Sequence, residues 1–170
     1  MKDIYKNFLL RHPLLKNLGE RGLEEISSIA SFINLKKGEI LFKEGSEGED
    51  LYIIVEGEAE VLKTDKLVKI AELKEGALIG ELSFLLKEGR TATLRAIKDS
   101  VFFRIDGKLL EEKILKSEKI YVEILFSISK IVAERLKTVN SLLSDYLKKH
   151  KVESDELCKL RESLKEEFIF

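Results

Sequence analysis

The stretch Gly80-Glu-Leu-Ser-Phe-Leu-Leu-Lys-Glu-Gly-Arg-Thr-Ala-Thr93 decides how the rest of the chain is read. It sets a glycine and a carboxylate, Gly80 and Glu81, ahead of a single arginine, Arg90, that small hydroxyl residues follow. Glycine lets backbone come close to a ligand, and an arginine forks onto phosphate oxygens. The apolar segment Leu82 to Leu86 has room for one or two helical turns, whose N-terminal N–H groups would face an anion, with the Ser83 hydroxyl as a further donor. A carboxylate beside a phosphate repels it, so Glu81 must contact another part of the same ligand. Sugar hydroxyls are donors and a carboxylate accepts them. With Arg90 on the phosphate and Thr91 completing the shell, the set implies a ligand with a sugar hydroxyl next to a phosphate. Read alone, Glu81 and Arg90 could equally form a surface ion pair worth at most about 1 kcal/mol.

Composition narrows the function classes. Of 170 residues, 44% are hydrophobic and 36% charged, yet the formal net charge is −1, so there is no bulk attraction to nucleic acid or to an anionic membrane. The single cysteine, Cys158, excludes an intrachain disulfide framework and fits a reducing, cytoplasmic setting. His12 and His150 lie far apart without companion ligands, so no metal site is expected; His12, before Pro13, is read as helping to end a first helix. The longest apolar runs, such as Leu51 to Val55, are far too short to span a membrane, and the N-terminus lacks the apolar core of a signal peptide.

The chain divides into zones. Residues 1–31 read as short helices: Ile4, Phe8 and Leu9 recur at helical spacing before Pro13, and Leu23, Ile26, Ile29 and Ala30 after Gly22. Residues 32–105 change period. Short β-rich runs (Ile40 to Phe42, Leu51 to Val55, Ala59 to Leu62, Leu67 to Ala71, Ala92 to Ala96, Val101 to Ile105) are punctuated by glycines. That spacing predicts an antiparallel β jelly roll, hence an α+β fold with N-terminal helices and a long C-terminal helix.

Residues 106–150 are predicted helical, with Asp106 capping Lys108 to Leu115 and Ser117 capping a helix from Glu118 to about Lys149. This last helix would be roughly 45–50 Å long. One stripe on it, Tyr121, Leu125, Ile128, Val132, Arg135, Val139, Leu142 and Tyr146, is spaced 4-3-4-3-4-3-4, interrupted only by Arg135. Such a stripe fits a helix packed on its own barrel or a two-stranded coiled coil; because Ile120, Ile124, Ser127 and Ile131 could serve the barrel instead, the seam is assigned to a parallel homodimer.

In its motifs and their order the sequence resembles the cyclic nucleotide-binding domain family, which includes bacterial catabolite activators, regulatory subunits of cyclic-AMP-dependent kinase and gated channels. The family's phosphate-binding cassette resembles Gly80-Glu-Leu-Ser83 and Arg90-Thr-Ala-Thr93, and the upstream marks Lys37-Gly-Glu-Ile-Leu-Phe42, Glu44-Gly45 and Leu51-Tyr-Ile-Ile-Val-Glu-Gly57 match as well. The likeness runs over about residues 12–147; Glu88-Gly89 replaces a proline-containing tip often seen before the arginine.

The resemblance implies that Glu81 accepts the ribose 2′-hydroxyl and Arg90 pairs with the cyclic phosphate. Backbone N–H groups of Leu82, Ser83 and Thr91 would finish the shell, beside Gly80. Base contacts would come from the long helix near Val139 and Asn140, with Thr138 adjacent and Arg135 near Glu81. Thr91 directly after the arginine resembles cyclic-GMP-selective kinases and channels, yet can equally serve the phosphate, as a serine does in cyclic-AMP-binding activators. Cyclic AMP is placed ahead of cyclic GMP on the prevalence of bacterial relatives.

Bacterial activators continue into a winged helix-turn-helix. Here Lys151 to Phe170 has room for one amphipathic helix (Leu157, Leu160, Leu164, Phe168), without a basic reading face, and Phe168 to Phe170 is a candidate docking element. The expectation is therefore a cyclic nucleotide receptor that passes its signal to an unknown protein partner, neither a DNA-binding protein nor an enzyme, since no nucleophile–histidine set or lysine-bearing phosphate loop occurs. The alternatives are a relative or fragment of a Crp/Fnr-type regulator without its winged helix, or a dimer that keeps the fold and binds no nucleotide.

Overall fold

Alternating runs with glycine-bounded ends build the expected β roll, and the computed structural model describes residues 3–63 and 68–149 of it. Two helices, α1 (Asp3–Arg11) and α2 (Gly19–Ser27), precede β1 (Ala30–Leu35), β2 (Ile40–Phe42), β3 (Leu51–Glu56), β4 (Glu58–Lys63), β5 (Val68–Lys74) and β6 (Leu78–Ile79). A short helix, α3 (Glu81–Leu86), interrupts the strands before β7 (Thr93–Ala96) and β8 (Ser100–Ile105). The chain continues as α4 (Gly107–Leu115) and α5 (Lys119–Lys149). The strands form two four-stranded sheets, ordered β1-β8-β3-β6 and β2-β7-β4-β5, with antiparallel pairing throughout. This is the jelly roll that the glycine spacing predicts. Two compact units divide the chain, residues 1–131 and 132–170.

The period-two alternation of strands explains where the first unit keeps its core. Tyr52, Ile54, Ala59, Ile79, Leu94 and Phe102 form one apolar cluster, and Phe42, Val61, Leu73 and Ala77 pack against it while only partly buried. The opposite face of β3 and β8 is buried too: Leu51, Ile53, Phe103 and Ile105 are inaccessible to solvent. The stack Tyr5–Phe32–Phe103, with ring centroids 5.4 and 5.3 Å apart, ties α1 to that face. A sheet covered on both sides accounts for the unbroken apolar run of β3.

Several helix limits differ from the sequence reading. Gly22 lies inside α2, where a Cβ would meet the Leu18 Cβ at 2.4 Å, rather than before the helix. Ala30 opens β1, pairing with Ile105, instead of extending the helix. Asp106 caps α4 as expected, its carboxylate accepting from the Leu109 N–H. Ser117, expected to start the next helix, ends α4 instead. It is left-handed, φ 56°, with its N–H on the Ile114 carbonyl (2.8 Å) and the Glu118 N–H on the Lys113 carbonyl (3.3 Å). Those two bonds satisfy carbonyls that a helix end otherwise orphans, which offsets the strain of a serine at positive φ.

The stripes of α5 also divide differently. Tyr121, Ile124, Ser127 and Ile128 are all buried within the first unit, and the Tyr121 hydroxyl donates to the Glu25 carbonyl at 3.4 Å. A helix lying on a core buries a broad face rather than a narrow seam, so Tyr121 and Ile128 join the barrel's stripe instead of a partner's. In the second unit, taken by itself, Leu136, Val139, Leu142, Leu143 and Tyr146 are exposed along α5. The expected helix over residues 151–170, the strand start at Leu67, Cys158 and His150 lie outside the described residues.

His12 does close α1. Its N–H bonds the Leu9 carbonyl, its Nδ1 accepts from the Leu14 N–H at 3.2 Å, and its Nε2 donates to the Gly76 carbonyl at 3.0 Å. Burial lowers its pKa against the opposing Gly76 hydrogen bond. An unfolded histidine titrates at about 6.5, so just below that the unfolded chain binds more protons and stability falls as pH falls. Thermal melts of the wild type should therefore drop between about pH 7 and 5 more steeply than those of His12→Gln; equal slopes would contradict the assignment. A second expectation concerns Ser117→Gly. Removing the Cβ at a left-handed position, less the extra freedom of unfolded glycine, should stabilise by about 0.5–1 kcal/mol in urea unfolding.

Candidate functional site

Gly80 joins β6 to α3 with φ 90°, and a Cβ there would sit 2.4 Å from the Asp50 carbonyl oxygen and 2.6 Å from Arg90 Nη1. Only glycine fits, because both the backbone angle and the space exclude a side chain. The N–H groups at the start of α3 lack carbonyls one turn back; the first intrahelical bond runs from the Phe84 N–H to the Gly80 carbonyl at 3.1 Å. Ser83 and Phe84 point inward and are buried, whereas Leu82, Leu85 and Leu86 are exposed. Lys87 ends the helix in the left-handed region, φ 57°.

Arg90 is the centre of the site. It is only 3% exposed. Its guanidinium carbon lies 4.5 Å from the centroid of the Phe42 ring and 5.5 Å from that of Tyr52, so the cation rests against two aromatic faces. Nη1 donates to the Asp50 carbonyl at 3.0 Å. Among the described residues Nε has no hydrogen-bond partner. Gly48 leaves the space the guanidinium uses, since a Cβ there would be 3.0 Å from Nη2. Burial pulls the Arg90 pKa below its ordinary value, and Tyr52 with the charges of Asp50 and Glu81 offsets only part of that.

Two loops hold the arginine's backbone. The Arg90 N–H bonds the Ser46 carbonyl at 2.9 Å, and its carbonyl accepts from the Gly45 N–H at 2.7 Å. The Glu44 N–H donates to the Thr93 hydroxyl at 3.0 Å. Asp50 then connects this floor to the helix α4. One carboxylate oxygen accepts from Arg104 Nε at 2.7 Å, and the other from the Gly107 N–H at 3.0 Å, at the start of α4. Burial raises the Asp50 pKa, but the Arg104 and Gly107 hydrogen bonds and the Arg104 and Arg90 charges outweigh it, leaving a net lowering. Lys87 adds a second link, with Nζ 2.7 Å from both Glu49 and Glu111 of α4.

The residues read from the sequence thus fall into two sets. Gly80, Glu81, Ser83 and Arg90 come together in the first unit, where Glu81 is only 8% exposed. Leu82 and Thr91 belong to the same segment and face outward. Arg135, Thr138, Val139 and Asn140 are exposed positions of α5 in the second unit, and the Thr138 hydroxyl donates to the Glu134 carbonyl at 3.0 Å. Sequence reasoning missed Asp50, Gly48 and the roles of Phe42 and Tyr52. Phe42 and Tyr52 stand within recognisable stretches, but nothing local shows that a residue far along the chain will stack on them.

Residues 32–117 match the family model described as the cyclic nucleotide-binding domain. The chain is 33% identical over 97 residues, 56% of its length, to a cAMP-dependent protein kinase regulatory subunit of Mycosarcoma maydis. It is 29% identical over 126 residues, 72% of its length, to lysophospholipase nte1 of Neurospora crassa. These matches span only 18% and 8% of the two relatives. A crystal structure of a cyclic nucleotide-binding domain from Methylobacillus flagellatus shares the fold, with a TM-score of 0.74, 21% identity, and coverage of 84% of this chain and 85% of that one. The family match covers half of the sequence and contains the whole segment from Gly80 to Thr93, so the chain belongs to the cyclic nucleotide-binding domain family.

Proposed function

We propose that this chain is a cyclic nucleotide receptor, with cyclic AMP ahead of cyclic GMP, that signals through its C-terminal helices and catalyses no reaction. The observation carrying this reading is the buried guanidinium of Arg90, whose Nε lacks a partner among the described residues and whose Nη1 lies against Gly80, just before α3. A buried polar group left unmatched is costly, and an anion seated there would satisfy it. A cyclic phosphate on Arg90 and the N–H groups of Leu82, Ser83 and Thr91 would meet both the charge and the donors. Glu81 would take the ribose 2′-hydroxyl, which explains a carboxylate so near a phosphate site. The partly buried Val61 and Leu73 line the same interior as Phe42 and suit an apolar base.

Signal transmission would start at Asp50. Its carbonyl accepts from Arg90 while its carboxylate holds Arg104 and the first N–H of α4. Phosphate drawing on Arg90 therefore competes for a group one residue's length from the helix start, which would bias the arrangement of α4. The proposal includes a homodimer formed along the 118–149 helix, with Val132, Val139, Leu142 and Tyr146 in its seam, and an unidentified protein partner in the cytoplasm. Neither nucleic acid nor membrane is assigned as a partner; among the described residues no helix is long and apolar enough to cross a membrane.

Titration calorimetry with cyclic AMP and cyclic GMP, on wild type and Arg90→Ala, tests the site. Removing the phosphate's buried partner should weaken binding by about 2–5 kcal/mol, with cyclic AMP the tighter ligand. Micromolar binding unaffected by that substitution would reject the assignment. For the dimer, a Val132→Glu, Val139→Glu variant should sediment at half the wild-type mass in the analytical ultracentrifuge; an unchanged species would reject the seam.

A further inference from the structure

We propose that Lys63, the last residue of β4, is a positioning residue for the phosphate cradle, orienting the peptide that joins Thr91 to Ala92; this rests on the receptor reading above. The register places it there. Leu62 pairs with Thr93 across β4 and β7, so Lys63 lies beside the backbone that leads from Arg90 into β7. Its Nζ donates to the Thr91 carbonyl at 2.6 Å and to Glu44 Oε1 at 2.6 Å. Glu44 in turn holds the far end of the same short segment, through its N–H on the Thr93 hydroxyl.

Peptide geometry turns this contact into control of the cradle. A planar trans peptide points its N–H opposite to its C=O, so anchoring a carbonyl aims the next residue's N–H. The Gly45 N–H anchors the Arg90 carbonyl and thereby aims the Thr91 N–H. Lys63 does the same for the Thr91 carbonyl, fixing the peptide on the other side of Thr91 and so limiting how far Thr91, with its shell N–H, can rotate. Thr91, the residue expected to close the phosphate shell, is held between the two oriented peptides. One anchor is backbone and exists for almost any sequence; the other depends on a single side chain. Lys63 is half exposed and paired with Glu44, so its charge is largely offset and its contribution is orientation rather than added positive field.

The test uses the full chain, titrated with cyclic AMP and cyclic GMP at fixed salt. Lys63→Met keeps the aliphatic stem and removes the donors; Lys63→Arg restores them. Loss of the charge-assisted hydrogen bond to the Thr91 carbonyl, along with the Glu44 pair, should weaken Lys63→Met about 5- to 20-fold, with Lys63→Arg within about threefold of wild type. Melting temperatures should stay unchanged, and in the ligand-free Lys63→Met protein the amide resonances of Thr91 and Ala92 should shift more than those of Glu81 and Leu82. Lys63→Gln gives a second neutral variant, with the same expected loss, if the methionine variant folds poorly. Wild-type affinity in the neutral variants, or equal losses in Lys63→Met and Lys63→Arg, would overturn the positioning role. So would tighter binding by Glu44→Gln, which would mean that charge alone matters. Wild-type protein that binds neither nucleotide would instead remove the receptor reading itself.

Discussion

A guanidinium cannot shed its proton at any physiological pH, so burying one commits the surrounding structure to compensating a fixed charge. At Arg90 the compensation is assembled from distant parts of the chain. Phe42 and Tyr52 supply aromatic faces, Asp50 supplies a carbonyl, and Gly48 and Gly80 supply room. None of these contacts satisfies Nε. Most of the architecture of the first unit can be understood as holding that incomplete arrangement steady: the jelly roll brings β2, β3 and the 80–93 segment together, and the loops at Gly45 and Ser46 grip the arginine's backbone.

The same arrangement explains why the site is connected to a helix rather than isolated in the barrel. Asp50 contributes its carbonyl to Arg90 and its carboxylate to Arg104 and α4, so one residue belongs to both neighbourhoods. The Lys87 pairs with Glu49 and Glu111 run parallel to it but are partly exposed, and screened surface pairs contribute about 0–1 kcal/mol each. The Asp50 link differs in that its carboxylate also accepts from the Gly107 backbone N–H, so it holds the start of α4 directly.

Legibility in the sequence tracks the range of the interactions. The strands are readable because glycines bound short alternating runs, and Asp106 because a cap acts within one turn. Ser117 misleads because a serine between two helices can start one or stop the other, and the choice depends on which carbonyls need donors. The two-residue β6 is too short to show any period and exists only because β3 lies beside it. Tyr121 and Ile128 fall into a partner's seam on sequence alone because a heptad pattern does not distinguish a neighbouring barrel from a second helix.

The family, the β roll and the presence of Glu81 and Arg90 in one segment were determined by local pattern, since the spacing from Gly80 to Thr93 survives without knowledge of what surrounds it. Tertiary structure alone decided that Arg90 is buried on Phe42 and Tyr52, that Asp50 joins it to α4, and that Lys63 holds the Thr91 carbonyl. The physical reason is that burial and desolvation are properties of a packed neighbourhood. Here that neighbourhood is gathered from strands and loops separated by tens of residues, and no local window contains it.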